Sequence, residues 1–146
     1  MRAVVQRVKK ATVSVEGKIV SRIGEGLLVL VGIEKTDTEE IAKYISEKII
    51  NLRIFEDESG KMNLSVQEVK GSVLVVSQFT LASYVKKGNR PSFSDAMEEN
   101  NARSLYEHIV SHIKNCGVPV FTGVFKAHME IGLTNDGPVT FVIEKQ

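Results

Sequence analysis

Two runs of consecutive aliphatic residues restrict the fold of this chain more than any other feature of its sequence. The first is LLVLV at residues 27–31, and the second is VLVV at residues 73–76. A strand with one face in solvent alternates apolar and polar residues, whereas an unbroken apolar run is typical of a strand covered on both faces. We therefore expect two buried strands, with the first at the centre of a sheet.

Helical periodicity follows each of these runs. Isoleucines spaced four residues apart predict a helix over residues 38–50, with Thr36 or Asp37 as its N-cap. A longer helix, capped by Ser94 or Asp95, is predicted to end near residues 116–117. The residues expected to give this second helix its apolar face are Ala96, Ala102, Leu105, Ile109 and Ile113.

Shorter alternating segments predict the remaining strands. Residues 1–23 indicate a hairpin that turns at residues 16–17, and we expect it at the outer edge of the sheet. Further strands are predicted at residues 51–55, 120–122, 129–134 and 139–144, and a hairpin turn at residues 135–138 joins the last two. The order βββαββαβββ indicates a mixed α/β fold with a largely antiparallel sheet, and 146 residues are expected to form one domain, residues 1–146.

Composition excludes several classes of protein. With 42% hydrophobic and 25% charged residues, the chain is neither disordered nor a coiled coil. Its single cysteine, Cys116, cannot form an internal disulfide, and no apolar stretch reaches the roughly 20 residues of a membrane span. We therefore expect a cytoplasmic protein without a membrane partner. Since the net charge is only +1, a nucleic-acid partner would need a local basic patch.

The histidines and the cysteine do not indicate a metal site or a nucleophile. His108 and His112 have the spacing of a helical zinc pair, but HIVSH lacks the glutamate of HExxH and no third ligand is evident. Cys116 lies near the C-terminal end of a predicted helix, where the dipole disfavours a thiolate. We therefore predict no bound metal and no thiol chemistry.

Polar residues at two places are candidates for a functional site. The SQFT segment, residues 77–80, ends the second aliphatic run, where an α/β sheet usually presents its site, although an ordinary strand end explains it equally well. The NDGP segment, residues 135–138, has a proline that removes a ladder donor directly after a glycine, which is unusual for a two-residue hairpin. Lys86, Lys87 and Arg90 form a cationic loop that suits either phosphate contacts or plain solvation.

The SQFT and NDGP segments, together with KKGNRPSF (86–93) and GVFKAHMEI (123–131), resemble the D-aminoacyl-tRNA deacylases, also called D-tyrosyl-tRNA deacylases. The resemblance extends over nearly the whole chain. It implies a barrel-like sheet with two main helices and a cytoplasmic homodimer without a metal or other cofactor. The implied reaction is hydrolysis of the ester that joins a D-amino acid to the terminal adenosine of tRNA, and also removal of glycine mischarged on tRNA-Ala.

The resemblance also implies roles for particular residues. Ser77, Gln78, Phe79 and Thr80 would form the catalytic site at the subunit interface. The Gly137–Pro138 bond would be cis, and its carbonyl groups would enter the partner's site, hold the amino group and exclude an L side chain. Residues implied to bind substrate or tRNA are Lys86, Lys87, Arg90, Met129 and Asn135.

Two features leave alternatives open. Thr80 has no neighbour in sequence that could act as its general base, so the implied mechanism uses the 2′-OH of the tRNA. Lys126 stands where the family usually has glycine, in G-x-F-G-A-x-M. There are two competing hypotheses. The chain could be an RNA-binding module without activity, or an acyl hydrolase that uses Thr80 on small esters.

Overall fold

The computed structural model describes residues 1–85 and 88–146. Within them, no helix is long and apolar enough to cross a membrane. The elements follow in the order β1 (Arg2–Val15), β2 (Lys18–Ile23), β3 (Gly26–Gly32), α1 (Glu39–Asn51), β4 (Phe55–Glu56), β5 (Met62–Leu64), β6 (Ser72–Ser77), a short 3-10 helix (Phe79–Ala82), α2 (Glu99–Asn115), β7 (Val120–Thr122) and β8 (Glu130–Glu144).

The long strand β1 lies at the centre of the sheet. One of its edges pairs antiparallel with β3 over residues 2–8 and with β2 over residues 11–15, and β8 pairs with its other edge. The expectation that the first hairpin forms the outer edge is therefore wrong for β1. Alternation of apolar and polar residues reports which faces of a strand are covered, but it does not report whether both edges are paired.

The two aliphatic runs form the buried strands that the sequence predicts. β6 pairs in parallel with β3 on one side and with β7 on the other. The hydroxyl of Ser21 in β2 donates to the carbonyl of Thr122 in β7, so the mixed sheet is nearly closed into a barrel. The predicted fold class, a mixed sheet curling into a barrel with two main helices, is confirmed.

Alternate residues of β3 and β6 pack into two separate apolar clusters. Leu27, Val29, Val73 and Val75 pack against the helices. Their neighbours face the inside of the barrel, in a cluster that contains Val8, Ala11, Val13, Ile23, Leu28, Leu74 and Val76. Burial on both faces explains why the runs at residues 27–31 and 73–76 are entirely aliphatic, since each buried leucine contributes roughly 1.5–3 kcal/mol.

The helices match the predicted ones, but their N-caps differ. Thr38 caps α1, in place of Thr36 or Asp37, because its hydroxyl accepts from the N–H of Ile41. Asp37 instead accepts from the buried amino group of Met1 at 2.5 Å.

The second helix begins later than predicted. α2 starts at Glu99 because the carboxylate of Glu98 accepts from the free N–H groups of the first turn. Ser94 and Asp95 are therefore not its cap, and Ala96 lies outside the helix. The predicted end near residues 116–117 is confirmed.

The middle strands also differ from the prediction. Residue 51 still belongs to α1, so the predicted strand at 51–55 shrinks to β4 at Phe55–Glu56. The sequence pattern also missed its short antiparallel partner β5.

The predicted hairpin turn at residues 135–138 is wrong, because β8 continues through the NDGP segment. Between the pairs Gln6–Thr140 and Val8–Asn135, β1 advances by two residues while β8 advances by five. The extra residues form a bulge that leaves the ladder and returns to the same edge of β1. The two halves of β8 therefore pair with one strand and not with each other.

Candidate active site

A cavity of about 460 Å3 opens where β6 ends. It lies between the carboxyl end of β6, the start of α2 and residues 125–131. Its walls are mainly apolar, with a few polar groups at the edge, as is usual for a binding site. The residues with chemical or steric interest that line it are Ser77, Gln78, Phe79, Glu99, Phe125, Lys126, His128 and Met129.

The SQFT segment reaches this cavity because the main chain turns sharply after β6. The N–H of Gln78 donates to the carbonyl of Val31 at 2.7 Å, which ties the segment to β3. The 3-10 helix then begins at Phe79, and its first N–H groups have no intrahelical acceptor. The segment therefore offers main-chain donors beside an apolar cavity.

The hydroxyl of Thr80 accepts a hydrogen bond from the side-chain amide of Gln78 at 2.5 Å. An amide cannot remove the hydroxyl proton, so this contact orients Thr80 without activating it as a nucleophile.

An exposed pair of aromatic rings borders the cavity. The side chain of Phe79 is 58% exposed, and that of Phe93 is 43% exposed. Their ring centroids are 5.1 Å apart at a tilt of 47°. Exposed aromatic faces of this kind are suited to stacking against a nucleobase. Phe93 is not among the predicted site residues, although a phenylalanine among polar loop residues is a signal for it in the sequence.

Lys126 lies at the edge of the cavity in a left-handed conformation, with φ at +68°. Its ammonium group pairs with Glu99 on α2. Arg103, one turn further along α2, is 4.0 Å from Glu99 and stacks over the ring of Phe125 at 4.6 Å. The backbone geometry is one that glycine adopts readily, so a lysine here keeps the loop conformation and adds a charge to the cavity edge.

A buried tyrosine supports this side of the cavity. The ring of Tyr106 lies 5.6 Å from that of Phe125, and its hydroxyl donates to the carbonyl of Val75 at 2.8 Å. Burial raises the pKa of Tyr106 well above its usual range, so the hydroxyl stays protonated and keeps donating.

The NDGP segment is held by its own asparagine. The side-chain oxygen of Asn135 accepts from the N–H of Val139 at 2.7 Å, and its amide donates to the carbonyl of Val139 and to the hydroxyl of Thr140. The Gly137–Pro138 bond inside this loop is cis.

Arg7 on β1 also holds the NDGP segment. Its buried guanidinium donates to the carbonyl of Asp136 at 2.9 Å and to the carbonyl of Ile54 at 2.7 Å. Arg7 was missed because the alternating QRVKK sequence looks like a solvent-facing edge. The register shift between β1 and β8 beside the Asp136 carbonyl, and the approach of the distant Ile54 carbonyl, are visible only in three dimensions.

The structure brings together only some of the predicted site residues. Residues 77–79 and Met129 line the cavity, and Thr80 adjoins them, whereas no residue of the NDGP segment lines it. Arg90 is exposed and does not line the cavity either. Lys86 and Lys87 lie outside the described residues.

His112 on α2 lies 3.9 Å from the carboxylate of Glu47 on α1. Among residues 1–85 and 88–146, no group of three or more histidine, cysteine, aspartate or glutamate side chains is placed to hold a metal ion. Cys116 is a free, exposed thiol. His128, which no sequence motif selects, lines the cavity.

Two solved structures have the same architecture as this chain. A structure described as a probable eukaryotic D-amino acid tRNA deacylase superposes with a TM-score of 0.81 at 19% identity, covering 97% of this chain and 98% of that one. A structure named c-Myc DNA Unwinding Element Binding Protein superposes with a TM-score of 0.95 at 43% identity and covers 100% and 99% of the two chains. The nearly closed barrel with two helices is thus the fold of D-aminoacyl-tRNA deacylases.

Sequence comparison identifies the family. The model of the family described as D-Tyr-tRNA(Tyr) deacylase matches residues 4–144. Proteins named D-aminoacyl-tRNA deacylase from Geobacter sulfurreducens and Thermosipho africanus are each 54% identical to this chain, over 99% and 100% of it and over 95% and 98% of their own lengths. The chain belongs to the D-Tyr-tRNA(Tyr) deacylase family.

Proposed function

We propose that this protein hydrolyses the ester bond of D-aminoacyl-tRNA and releases the free D-amino acid and the tRNA. Family membership over residues 4–144 and the shared name of relatives at 54% identity support this reaction. The same reaction would remove glycine from mischarged tRNA-Ala. The chain would act as one domain in the cytoplasm, where its single free thiol is stable without a disulfide partner.

One observation carries the proposal: the cavity beside the SQFT segment is formed, but the NDGP segment does not reach it. A site that uses both segments therefore needs a second copy of the chain. In the proposed homodimer, the NDGP segment of one subunit enters the cavity of the other. Exposed apolar side chains on β8 support such an interface, namely Phe141 and Val142.

The proposed chiral filter is a rigid piece of main chain. Enantiomers have the same size and polarity, so only a wall at a fixed position separates them. The hydrogen bonds from Arg7 and within Asn135–Val139 hold the Gly137–Pro138 carbonyls in place. These carbonyls would bind the substrate amino group and leave no room for an L side chain, while glycine would pass.

Catalysis would depend on positioning and on main-chain donors. The 2′-OH of the terminal adenosine lies next to the scissile ester in every substrate and can assist its hydrolysis. The N–H groups at the start of the 3-10 helix, at Phe79 and Thr80, would stabilise the oxyanion, an effect of about 3–4 kcal/mol for one donor in other enzymes. Ser77 and Gln78 would shape the site, and Met129 would pack against the substrate.

The acceptor end of the tRNA would bind around the same cavity. Phe79 and Phe93 offer a stacking surface, and Arg90, with Lys86 and Lys87 by sequence alone, would contact the phosphates. Asn135 would act indirectly, by holding the Gly137–Pro138 main chain of the proposed chiral filter in place.

The test is hydrolysis of D-Tyr-tRNA, L-Tyr-tRNA and Gly-tRNA at matched concentrations by the purified protein. Rapid loss of the D and glycyl esters with the L ester intact is expected. Tight tRNA binding without turnover of any ester would instead indicate a binding module, a possibility that the similarity to a protein named for DNA binding makes worth measuring. Cleavage of simple esters without tRNA would indicate an ordinary acyl hydrolase.

A further inference from the structure

A second hollow, of about 450 Å3, is formed by the strands of the barrel and shares no lining residue with the cavity described above. Strands β1, β2 and β8 each contribute to it. We call it the basic groove, defined by Lys10, Thr12, Arg22, Gly132 and Thr134, with Ile23 and Leu133 completing its lining.

Strand register places the polar residues of the basic groove on one face. Thr12 is directly opposite Arg22 on β2 and Gly132 on β8, and Lys10 is opposite Thr134. Directly opposed residues of antiparallel strands point to the same side, with Cβ atoms about 5 Å apart. Two cations and two hydroxyls therefore surround one position.

Gly132 creates the space between these side chains. A Cβ added at this position would lie 3.1 Å from the hydroxyl of Thr12. The absence of a side chain opens the floor of the groove between Lys10 and Arg22. A ligand atom can therefore approach the main chain of β8 and the threonine hydroxyls together.

The charge of the basic groove is not neutralised by the protein. In the described part of the chain, neither Lys10 nor Arg22 has a carboxylate within 4 Å, whereas the neighbouring Lys9 and Arg7 both pair with Asp136. None of the residues that line the groove is acidic. A pair of uncompensated cations with two hydroxyl donors is the usual composition of a phosphate contact.

We propose that the basic groove binds a backbone phosphate at the acceptor end of the tRNA. This inference rests on the proposed function and adds a docking point to it. Gly132 and Gly137 are five residues apart on β8, which is at most about 18 Å of extended chain. With the aminoacyl group against Gly137, a phosphate in the groove belongs to a nucleotide near the 3′ end and not to the anticodon arm.

The experiment compares the Lys10→Ala/Arg22→Ala double variant with a charge-matched control, Lys61→Ala/Lys114→Ala. Both control lysines are exposed and lie outside β1, β2 and β8: Lys61 directly precedes β5, and Lys114 is on α2. Three D-tyrosyl substrates are used: full tRNA, an acceptor minihelix and adenosine. Because charged hydrogen bonds to phosphate are lost, KM for the tRNA and the minihelix is expected to rise about tenfold at constant kcat. The slope of log kcat/KM against log salt is expected to fall by about one for each contact removed.

Hydrolysis of the D-tyrosyl adenosine ester is expected to stay unchanged, since that substrate has no phosphate to place in the groove. An equal loss on all three substrates, an equal loss in the control, or an unchanged KM for tRNA would overturn the inference. Binding of the minihelix without an attached amino acid is also measured directly at several salt concentrations. This measurement distinguishes failure of the phosphate site from failure of the proposed reaction. Salt-dependent binding that needs Lys10 and Arg22 supports the groove even if the wild type hydrolyses no ester.

Discussion

The SQFT and NDGP segments differ in how much of their surroundings one chain provides. The SQFT segment follows a buried strand and lies in a formed cavity with Phe125, Lys126 and Met129. The NDGP segment is just as firmly held, by Arg7 and by the side chain of Asn135, but it lines no part of that cavity.

This difference shows that rigidity and a binding cavity are provided by different parts of the chain. A buried guanidinium that binds main-chain carbonyls stabilises the monomer little more than a well-packed apolar side chain in its place would. Such a loop is useful when its position matters to something outside the chain. In the proposed homodimer, the cavity would supply the apolar walls and the donors, and the loop would supply a fixed shape to the second subunit.

The largest expected effect comes from changing the shape of the NDGP segment. In Gly137→Ala, the new Cβ would lie 2.6 Å from the side chain of Val139, at a φ of +144° that residues with side chains rarely adopt. The loop must therefore move, and kcat/KM for D-Tyr-tRNA is expected to fall by about 100-fold or more, as for displaced catalytic groups. Gly24→Ala is the control, because a Cβ there meets no atom within 4 Å. Equal activity of the two variants would contradict a role for the loop.

A smaller effect is expected from Asn135→Ala, which keeps the main chain but removes the clamp. The N–H of Val139 loses its acceptor, at a cost of about 1–3 kcal/mol. The loosened wall is expected to lower the ratio of D to L hydrolysis by about tenfold. Asn51→Ala removes a surface asparagine that bonds to the Glu47 carbonyl and serves as the control. The ratio is measured with D-Tyr-tRNA and L-Tyr-tRNA. An unchanged ratio would show that Asn135 does not contribute to chiral selection.

On the cavity side, Thr80→Ala is expected to keep most of the activity. Among the described residues its hydroxyl bonds to the Gln78 amide alone, so the variant loses one orienting hydrogen bond of about 1 kcal/mol, and kcat is expected to fall by less than tenfold. Single-turnover kinetics with D-Tyr-tRNA measure this directly. A loss of 10⁴-fold or more, typical of a deleted nucleophile, would show that the threonine attacks the ester.

The smallest effect is expected from Lys126→Gly. Glycine relieves the left-handed conformation, which costs a lysine about 1 kcal/mol, and the exposed pair with Glu99 that it removes is worth at most about 1 kcal/mol. Thermal unfolding should shift by only a few degrees, and kcat/KM should stay within about threefold. A large loss of activity would mean that the lysine contacts the substrate.

Much of the fold could be predicted from the sequence, because the signals were local. The two aliphatic runs became β3 and β6, and the polar SQFT segment at the end of one of them does line a cavity. The cap of α2 was misplaced because Ser94 and Asp95 are good caps by residue type, while the glutamate that caps it, Glu98, is not.

The errors at the NDGP segment had a different cause. Asn-Asp-Gly-Pro has the local chemistry of a turn, but the long edge of β1 pairs with both flanking segments and makes them one strand. The role of Arg7 depends on the carbonyls of Ile54 and Asp136, which are 47 and 129 residues away in sequence. No local pattern contains that information, and the proposed contribution of a second subunit would lie outside one chain altogether.

The most direct test of a site shared between two subunits is complementation of inactive variants. Gly137→Ala has an intact cavity and a damaged loop, and Ala127→Trp fills the cavity and leaves the loop intact. If each site combines one cavity with the partner's loop, an equal mixture allowed to exchange subunits is expected to recover about a quarter of wild-type activity on D-Tyr-tRNA, the statistical value for a symmetric dimer. No activity beyond the sum of the separate variants would show that the two segments do not meet across a dimer.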